Sequence, residues 1–328
     1  MQYKSDQVRT VSKVRFSWCV VWLMVALLMG AALAGPLAAQ EASPAISVTD
    51  INRTTEWAWF QLVRNERHPE LAMLLFDPPV KEYNPFTPAG AESSLEEIIA
   101  AEVALQTALN FTFSEWLIIA EDDLVGNYGF QTGEFTGEYF GTAPTGTQFG
   151  SVLIAIDRMV DGRVTEARAG WDQAGFMEWL GWSTVDYPDY ENTAWGLTLG
   201  ATSSTPADHH AVLDALYANY CAGCTPDFAG LYTEDVVVHD YMQTFDGLPT
   251  LSDQIGVLNQ LADLQVDSTL AVCEGDLCIS YATLSFTMAD QPTLLVWVSA
   301  HRFVDGKIAE EWWQYDNSVL WAATAWTE

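Results

Sequence analysis

Two aspartates follow the same pattern of residues in two distant parts of the sequence. Asp172 comes six residues after Glu166, and Asp316 comes six residues after Glu310. Upstream of each glutamate an Asp-Gly pair separates two runs of β-branched and aromatic residues, which is typical of a tight β-hairpin. Carboxyl groups that face each other can raise one pKa into the range useful for general acid–base catalysis. The pattern therefore predicts a carboxylate site that moves protons.

The Asp-Gly turns fix a strand register. With Val304 paired to Lys307, His301 lies opposite Glu310, and directly opposite residues share a face of the sheet. The same register pairs Asp157 with Glu166, and it adds to this polar face Trp312 and Asp316 in the second segment and Arg168 and Asp172 in the first. The other face of the first segment is apolar, with Val152, Ile154, Ile156, Ala167 and Ala169. A β-bulge in either strand would reverse this parity beyond it.

Two interpretations of the polar face remain open. In one, the helices close over this face and it lines a cavity in which a histidine or a carboxyl pair transfers protons. In the other, the apolar face is the core and the polar face meets solvent or another subunit. Periodicity alone favours the second interpretation.

The two hairpins belong to an internal repeat. Residues 120–125 align with residues 273–278, and residues 160–166 align with residues 304–310, in the same order and at similar spacing. Additional residues around 133–137 interrupt the first copy. Duplication of one domain explains this agreement better than chance does.

Each copy has the pattern of helices followed by long strands. Helical periodicity predicts first helices over 50–67 and 207–220. A second helix is predicted to begin near Ser94, where Ser94 and Glu97 form a capping box, and its counterpart covers 251–261. Helices followed by an antiparallel meander indicate an α+β fold.

The composition between the copies indicates a linker. Residues 184–205 are rich in Pro, Thr, Ser, Gly and acidic residues. We therefore place domains at 46–183 and 206–328.

The charge of the chain excludes several classes of partner. Thirteen Lys and Arg residues stand against 44 Asp and Glu residues, a net charge of -31. Such a surface is repelled by nucleic acid backbones and by anionic lipid headgroups. We expect no nucleic acid partner and no membrane contact beyond the N-terminal segment.

The N-terminal 39 residues have the layout of a signal peptide. Four basic residues precede an apolar run over 16–34, and small residues follow. The run is also long enough to cross a bilayer, so an uncleaved anchor is the alternative. Both interpretations place the folded part outside the cytoplasm, as a periplasmic or secreted protein.

The four cysteines beyond this segment form two close pairs, Cys221 with Cys224 and Cys273 with Cys278. An even number of cysteines in an exported protein favours disulfides, and four cysteines allow three connectivities. Cys273 and Cys278 bracket a hairpin-turn sequence that would bring the two sulfurs together. The alternatives are a redox-active C-x-x-C motif at Cys221 and a four-thiolate zinc site. We expect structural disulfides and no metal.

Several of these segments resemble the SnoaL-like polyketide cyclases of the nuclear transport factor 2-like superfamily. Residues 304–312 with Asp316 look like the closing hairpin of that family: an Asp-Gly turn, a glutamate, a tryptophan and a final aspartate. Residues 132–146 resemble its threonine-glycine segment. Residues 236–240 resemble its strand that ends in a histidine followed by Asp or Asn, and the first copy has Tyr83 and Asn84 at that place.

The resemblance implies two tandem cone-shaped domains, each a curved antiparallel sheet wrapped around N-terminal helices. It also implies a pocket in which ring closure occurs without cofactor or metal, with Asp172 or Asp316 as the acid–base residue. His239, His301 and Tyr83 are the candidate proton donors, and Glu310 the candidate partner of His301. Ligand contacts are expected from the remaining polar and aromatic candidates: Asn84, Asp157, Glu166, Asp240 and Trp312.

Three functions follow as hypotheses. The first is a cofactor-independent lyase or isomerase that acts on a small, apolar carbonyl compound. The second is a non-catalytic ligand-binding or assembly module, and the third, a minor one, is thiol–disulfide exchange at Cys221 and Cys224. The two copies are also candidates for packing against each other as a pseudo-dimer.

Overall fold

A computed structural model describes residues 46–182, 194–240, 244–316 and 318–319. The predicted signal peptide or anchor, and residues 184–193 of the predicted linker, lie outside the described residues. Below, domain 1 denotes residues 46–182 and domain 2 denotes residues 206–319.

Domain 1 begins with helices and continues into a six-stranded sheet. Its helical segments are α1 (Val48–Ala58), a π-helical turn (Trp59–Asn65), a 3-10 turn (Pro69–Leu71), α2 (Ala72–Leu75), α3 (Leu95–Leu109) and α4 (Gln173–Trp179). Its strands are β1 (Phe76–Tyr83), β2 (Ala91–Ser93), β3 (Thr112–Glu121), β4 (Leu124–Glu134), β5 (Gln148–Val160) and β6 (Arg163–Trp171).

Domain 2 repeats this order. Its described helices include α5 (Pro206–Tyr217) and α6 (Leu248–Leu258). The strands are β7 (Tyr232–His239), β8 (Thr244–Asp246), β9 (Ala262–Glu274), β10 (Leu277–Met288), β11 (Gln291–Val304) and β12 (Lys307–Tyr315).

The two sheets have the same topology. Their strand orders are β2-β1-β6-β5-β4-β3 and β8-β7-β12-β11-β10-β9, which confirms the duplicated α+β architecture. Both sheets are mixed, because β1 runs parallel to β6 and β7 runs parallel to β12. The meander of four long strands in each copy is antiparallel, as expected.

Local sequence signals set the helix starts. The Ser94–Glu97 capping box is present, and α3 begins at the next residue. Ser47 with Asp50 caps α1 in the same way, and Thr205 caps α5. The predicted first helix over 50–67 is instead split between α1 and the π-helical turn.

A β-bulge follows the Asp-Gly turn in both domains and overturns the predicted register. Ala309 is the extra residue in domain 2, so His301 pairs with Glu311 rather than Glu310. In domain 1 Thr165 is the extra residue, so Asp157 pairs with Ala167 rather than with Glu166. The bulge moves every later residue of β6 and β12 to the opposite face.

Both predicted cysteine pairs form disulfides. Cys273 and Cys278 lie directly opposite each other on β9 and β10. The Cys221–Cys224 disulfide closes a short loop after α5. Within the part of the chain that the structure describes, no helix has both the length and the apolar character needed to span a membrane.

One apolar cluster contains residues of both sheets. Its domain 1 members are Ile119, Tyr128, Val152, Ile154 and Ile156, and its domain 2 members include Val272, Ile279, Tyr281, Val296 and Val298. The contact is close: a Cβ atom at Gly170 would collide with Val298. The apolar face that the sequence predicts on β5 is therefore buried against the other domain.

Two glutamates make reciprocal contacts across this interface. Glu121 accepts a hydrogen bond from the Cys273 N–H at 2.9 Å, and Glu274 accepts one from the Ala120 N–H at 3.0 Å. The two glutamates occupy the same position in the β3–β4 and β9–β10 hairpins. Arg53 also donates to both carboxylate oxygens of Glu274.

Candidate functional site

Domain 1 contains a cavity of about 320 Å³ between its sheet and its helices. Ten aromatic residues contribute to its wall, among them Trp59, Phe60, Phe76, Phe111, Tyr139, Trp171 and Phe176. The volume is at the lower end of the range for small-molecule sites, and the apolar wall with a few polar groups is characteristic of such sites.

Small side chains on β5 and β6 leave this space open. Ala155 on β5 and Ala167 and Ala169 on β6 line the cavity. The bulge at Thr165 is what turns Ala167 and Ala169 inward, beside Asp157, rather than onto the opposite face as the sequence predicted. The polar face of the sheet thus lines a cavity, while the other face packs against domain 2.

A buried pair of carboxyl groups, Glu56 on α1 and Asp157 on β5, forms part of the cavity wall. Both side chains are buried, and the two carboxyl groups lie close enough to affect each other's pKa. Oε2 of Glu56 and Oδ1 of Asp157 have no hydrogen-bond donor among the described residues, so a bond between the two groups requires that one of them be protonated. Asn127 donates from Nδ2 to the other oxygen of Glu56 at 3.0 Å.

Burial raises the pKa of both members of the carboxyl pair. The pKa of Glu56 lies well above its ordinary value, first because of burial and then because of the charge of Asp157. Burial raises the pKa of Asp157 to about 7, and the negative charge of Glu82 acts in the same direction. Near neutral pH Asp157 therefore changes between its protonated and ionised forms, while Glu56 keeps its proton to a higher pH than an ordinary glutamate does.

An ion pair lies on the helical side of the cavity. Arg64, in the π-helical turn, contacts Glu102 of α3 at 2.7 Å, and both side chains are largely buried. The guanidinium also lies 4.9 Å from the ring centre of Trp59. π-Helical turns are frequent at functional sites, and this one places Arg64 and Phe60 in the cavity wall.

Tyr83 and Asn84 line the cavity where β1 ends. The carbonyl oxygen of the Asn84 side chain accepts hydrogen bonds from the N–H groups of Phe86 and Thr87, which holds this turn in place. Of the residues that the sequence singled out, Tyr83, Asn84 and Asp157 are brought together here.

Glu166 and Asp172 do not line this cavity. Glu166 forms an ion pair with Arg168, whose guanidinium lies 4.5 Å from the ring centre of Tyr83. Asp172 is fully buried, and its carboxylate accepts a hydrogen bond from the Gly175 N–H at 2.9 Å as the N-cap of α4. Its counterpart Asp316 accepts from the Ser318 hydroxyl, and burial raises the pKa of Asp316 to about 6.

In domain 2, aromatic side chains fill the space that corresponds to the cavity. Trp297 lies 5.0 Å from Trp313 and 4.7 Å from Tyr315 between ring centres, and all three are buried. Trp313 occupies the position on β12 that Ala169 has on β6. The larger rings leave the helices of domain 2 packed directly on the sheet.

His301 belongs to a buried chain of polar groups in domain 2. Its Nε2 lies 2.7 Å from the hydroxyl of Ser280, which is 2.7 Å from the hydroxyl of Tyr217. Its Nδ1 lies 3.1 Å from Glu311, which also accepts a hydrogen bond from Tyr232. Tyr217, Ser280 and the Nε2 atom of His301 are held by one another, while Nδ1 of His301 makes no hydrogen bond among the described residues, so this chain has the character of a structural network.

His239, Glu310 and Trp312 meet on the opposite face of the second sheet. The His239 ring stacks on Trp312, and its Nε2 lies 2.9 Å from Glu310. Trp312 belongs to the apolar cluster between the domains. Asp240 accepts a hydrogen bond from the Tyr315 hydroxyl. The bulge at Ala309 separates Glu310 from His301, so this trio does not join the His301 chain.

Two groups of side chains in the described residues have metal-ligand spacing: His209 with Cys273 and Cys278, and Glu121 with His210 and Cys273. Both groups include Cys273, which is in a disulfide. A disulfide sulfur provides no thiolate, and thiolate is the form of cysteine that ligates metals.

Sequence reasoning missed Glu56, Arg64, Glu102 and Asn127. A usable signal existed for the two glutamates. Glu56 is four residues before Phe60, and Glu102 is four residues after Ile98, so each lies on the buried face of its helix. A carboxylate at such a position is uncommon unless it is paired. Asn127 carries no comparable signal.

Comparison with protein families gives two matches in tandem. Residues 50–180 match the model of the SnoaL-like polyketide cyclases, and residues 213–311 match the model of the SnoaL-like domain. Together the two matches cover more than half of the chain. No curated protein matches the chain.

Solved structures similar to this chain include three bacterial proteins. A Jannaschia sp. CCS1 protein assigned to the SnoaL-like polyketide cyclases is 19% identical and aligns over 43% of this chain and 97% of its own, with a TM-score of 0.37. TsrD of Streptomyces laurentii is 21% identical over 40% of this chain and 96% of its own, with a TM-score of 0.34. A phenazine biosynthesis-related protein of Pseudomonas aeruginosa is 11% identical over 53% and 99%, with a TM-score of 0.36.

Both copies of the repeat thus match SnoaL-like family models, one after the other along the chain. The chain belongs to the SnoaL-like family, as two SnoaL-like domains in tandem.

Proposed function

We propose that domain 1 is a cofactor-independent lyase or isomerase that transfers a proton within a small carbonyl compound. The observation that supports this most directly is the carboxyl pair of Glu56 and Asp157 in the wall of a small-molecule cavity. Asp172, which the family resemblance implied as the acid–base residue, caps α4 outside the cavity lining. We therefore assign the acid–base role to Asp157 and Glu56.

The pair can act as base and acid in one cycle. The ionised Asp157 takes a proton from the carbon beside the carbonyl group, and the electrons of that C–H bond move to the carbonyl oxygen. Glu56 gives its proton to this oxygen, so an enol forms and the pair again holds one proton. A base with a pKa near the working pH is the efficient choice for such a step.

Exchange of carbon-bound protons with D₂O tests this proposal without knowledge of the substrate. Acetophenone, propiophenone and cyclohexanone are incubated with the protein, and loss of the ¹H NMR signal beside the carbonyl group is followed. We expect exchange above the buffer rate that falls by roughly 100-fold or more in Asp157→Asn, the usual loss when a general base is removed. Glu56→Gln should also lower the rate, because glutamine donates a hydrogen bond but no proton.

A matched control comes from domain 2. Ser280 has the same strand position as Asn127, and Ser280→Ala should leave the exchange rate unchanged. If the ketones bind but none exchanges faster than in buffer, the enzyme proposal is wrong and domain 1 is a ligand-binding module. Circular dichroism of each variant separates loss of chemistry from loss of folding.

We further propose that the two domains pack as a pseudo-dimer and that domain 2 has a structural role. The reciprocal contacts of Glu121 and Glu274 support this, because a two-fold interface places the same residue of each copy on the other copy. The aromatic side chains that pack inside domain 2 support a structural role for it, with catalysis in domain 1.

Export is also part of the proposed function. The signal-peptide pattern of residues 1–39 and the two disulfides support it, since disulfides persist in oxidising compartments. Fractionation of cells that express the full chain, compared with a chain lacking residues 1–39, tests it. Equal cytoplasmic recovery of both forms would contradict export.

A further inference from the structure

We propose that the domain 1 cavity binds a small organic cation, an ammonium group on an apolar body, in preference to neutral or anionic ligands of the same size. This inference rests on the proposed function, because it concerns the ligand of the same cavity. If both proposals hold, the substrate is a carbonyl compound that carries a positive charge. The support comes from the charges, the rings and the volume of the cavity.

The charges of the lining residues do not balance. Among the described residues that line the cavity, the acidic ones are Glu56, Glu82, Glu102 and Asp157, and Arg64 is the one cation. Arg64 is already paired with Glu102 at 2.7 Å. Three carboxyl groups are left with no cation beside them among the lining residues, so ionisation of any of them makes the site negative. The desolvation of a bound anion would add to its repulsion, and anionic ligands are therefore excluded.

The rings of the wall suit a cation as well. Aromatic faces attract cations through their quadrupoles, and carboxylates next to such rings make a site for ammonium groups. Arg64 shows that these walls accept positive charge: its guanidinium lies 4.9 Å from the ring centre of Trp59 and 5.8 Å from that of Phe111. Trp171, Phe76 and the other rings of the wall remain for the apolar body of the ligand.

Because the carboxyl pair is buried, the charge of the ligand should have a strong effect on its affinity. Glu56 is 1% exposed, and Asp157 is 7% exposed, so water screens their charge poorly. The surrounding groups that titrate or carry charge are Glu82 from β1, Arg64 from the π-helical turn and Glu102 from α3. Tyr139 also lines the cavity, and burial raises its pKa to about 12, so it stays protonated through neutral pH.

A cation near the carboxyl pair would stabilise the ionised form of Asp157, the base of the proposed reaction, while Glu56 keeps its proton. Binding should therefore release a proton from Asp157 near neutral pH, and affinity should rise with pH until Asp157 is fully ionised. A ligand with a permanent charge is needed to see this, because the charge of an ordinary amine changes with pH.

Three ligands with one ring test the preference: benzyltrimethylammonium, benzyl alcohol and benzoate. Isothermal titration of the full chain gives each affinity, and two buffers with different ionisation enthalpies give the protons released. We expect the cation to bind at least about tenfold more tightly than the alcohol, with no binding of benzoate. Its affinity should increase from about pH 6 to about pH 8, with proton release.

Two variants that each remove one carboxylate locate the effect. Asp157→Asn should weaken binding of the cation by about tenfold or more and leave benzyl alcohol within about twofold. Glu234→Gln, at an exposed position of domain 2, makes the same change in net charge and should alter neither. Equal affinity for the alcohol and the cation would overturn the preference, as would an unchanged cation affinity in Asp157→Asn.

Ketone exchange on the same preparations separates this preference from the enzyme proposal. If the protein prefers the cation but catalyses no exchange, the enzyme proposal is wrong and domain 1 is a cation-binding domain. If it catalyses exchange but does not prefer the cation, the enzyme proposal stands and only the proposed positive charge of the substrate is wrong.

Discussion

The two domains share one fold and differ in what occupies the space between sheet and helices. Domain 1 has Ala167 and Ala169 on β6 at the positions where domain 2 has Glu311 and Trp313 on β12. The first pair leaves a cavity and the second pair fills it. The two domains have the same strand topology and the same β-bulge. Whether this fold contains a cavity therefore depends on the volumes of a few side chains.

The polar groups differ between the domains in a related way. Domain 1 has the acid Asp157 where domain 2 has His301, and Asn127 where domain 2 has Ser280. In domain 2, Tyr217 from the first helix is hydrogen-bonded through Ser280 to His301. In domain 1 the first helix instead contributes Glu56, which lies beside Asp157 and has a raised pKa. Hydrogen bonds between neutral groups stabilise a core, whereas a carboxyl pair beside open space can transfer a proton.

Exchanging one side chain between the domains should have the largest effect. Ala169→Trp places in domain 1 the ring that fills domain 2, and should abolish ketone exchange and ligand binding, a loss of roughly 100-fold or more. NMR exchange and isothermal titration measure this. The conservative variant Ala169→Ser should keep both activities. Unaltered binding in a folded Ala169→Trp protein would show that the ligand lies elsewhere.

The reverse change should destabilise domain 2. Trp313→Ala removes a buried ring that packs against Trp297 and Phe245, and should lower the free energy of unfolding by about 3–5 kcal/mol. Urea denaturation measures it. Trp57→Ala is the matched control, because Trp57 is 43% exposed on α1 and its loss should cost about 1 kcal/mol or less. Similar costs for both variants would contradict the filled interior of domain 2.

The pH dependence of stability should come largely from the acids of domain 1. The folded-state pKa of Glu56 is raised, so its stabilisation is complete below the pKa of the unfolded chain and is lost as pH rises through the folded value. Glu56→Gln imitates the protonated form, so it should lose less stability than the parent chain as pH rises from about 5 through neutral pH, by on the order of a few kcal/mol.

Melting temperatures of the two proteins across this range measure the difference. Asp316, with a pKa of about 6, adds a similar loss to both proteins and cancels in the comparison. Parallel curves for the parent and Glu56→Gln would contradict the raised pKa of Glu56.

The contacts between the domains should show the smallest effect. Glu274→Gln removes the charge that binds Arg53 and weakens the bond from Ala120, at a cost of about 1–2 kcal/mol for this partly buried group. The cost should appear in the unfolding of both domains. Asp123→Asn, which breaks the exposed pair with Arg158, should cost about 0.5 kcal/mol or less. Equal costs would argue against a structural role for the reciprocal glutamates.

Much of the fold was predictable because its signals are local. The Asp-Gly turns, the Ser94–Glu97 capping box and the cysteines that bracket the β9–β10 turn act over a few residues, and each has the predicted structure. The repeat then extends the architecture from one copy to the other. The predictions for Tyr83 and Asn84 came from the family resemblance and that for Asp157 from strand alternation, and all three line the cavity.

The sequence by itself indicated two α+β domains and where their hairpins turn, and it left three possible pairings of the four cysteines, which the structure resolves. Only the tertiary structure decided that bulges at Thr165 and Ala309 reverse the strand parity, and that Glu56 meets Asp157 in an open cavity of one domain. The physical reason is the distance along the chain over which the interactions act. Turns and caps are set by neighbouring residues, whereas the parity of a bulged strand and the approach of a helix to a sheet depend on packing between distant segments.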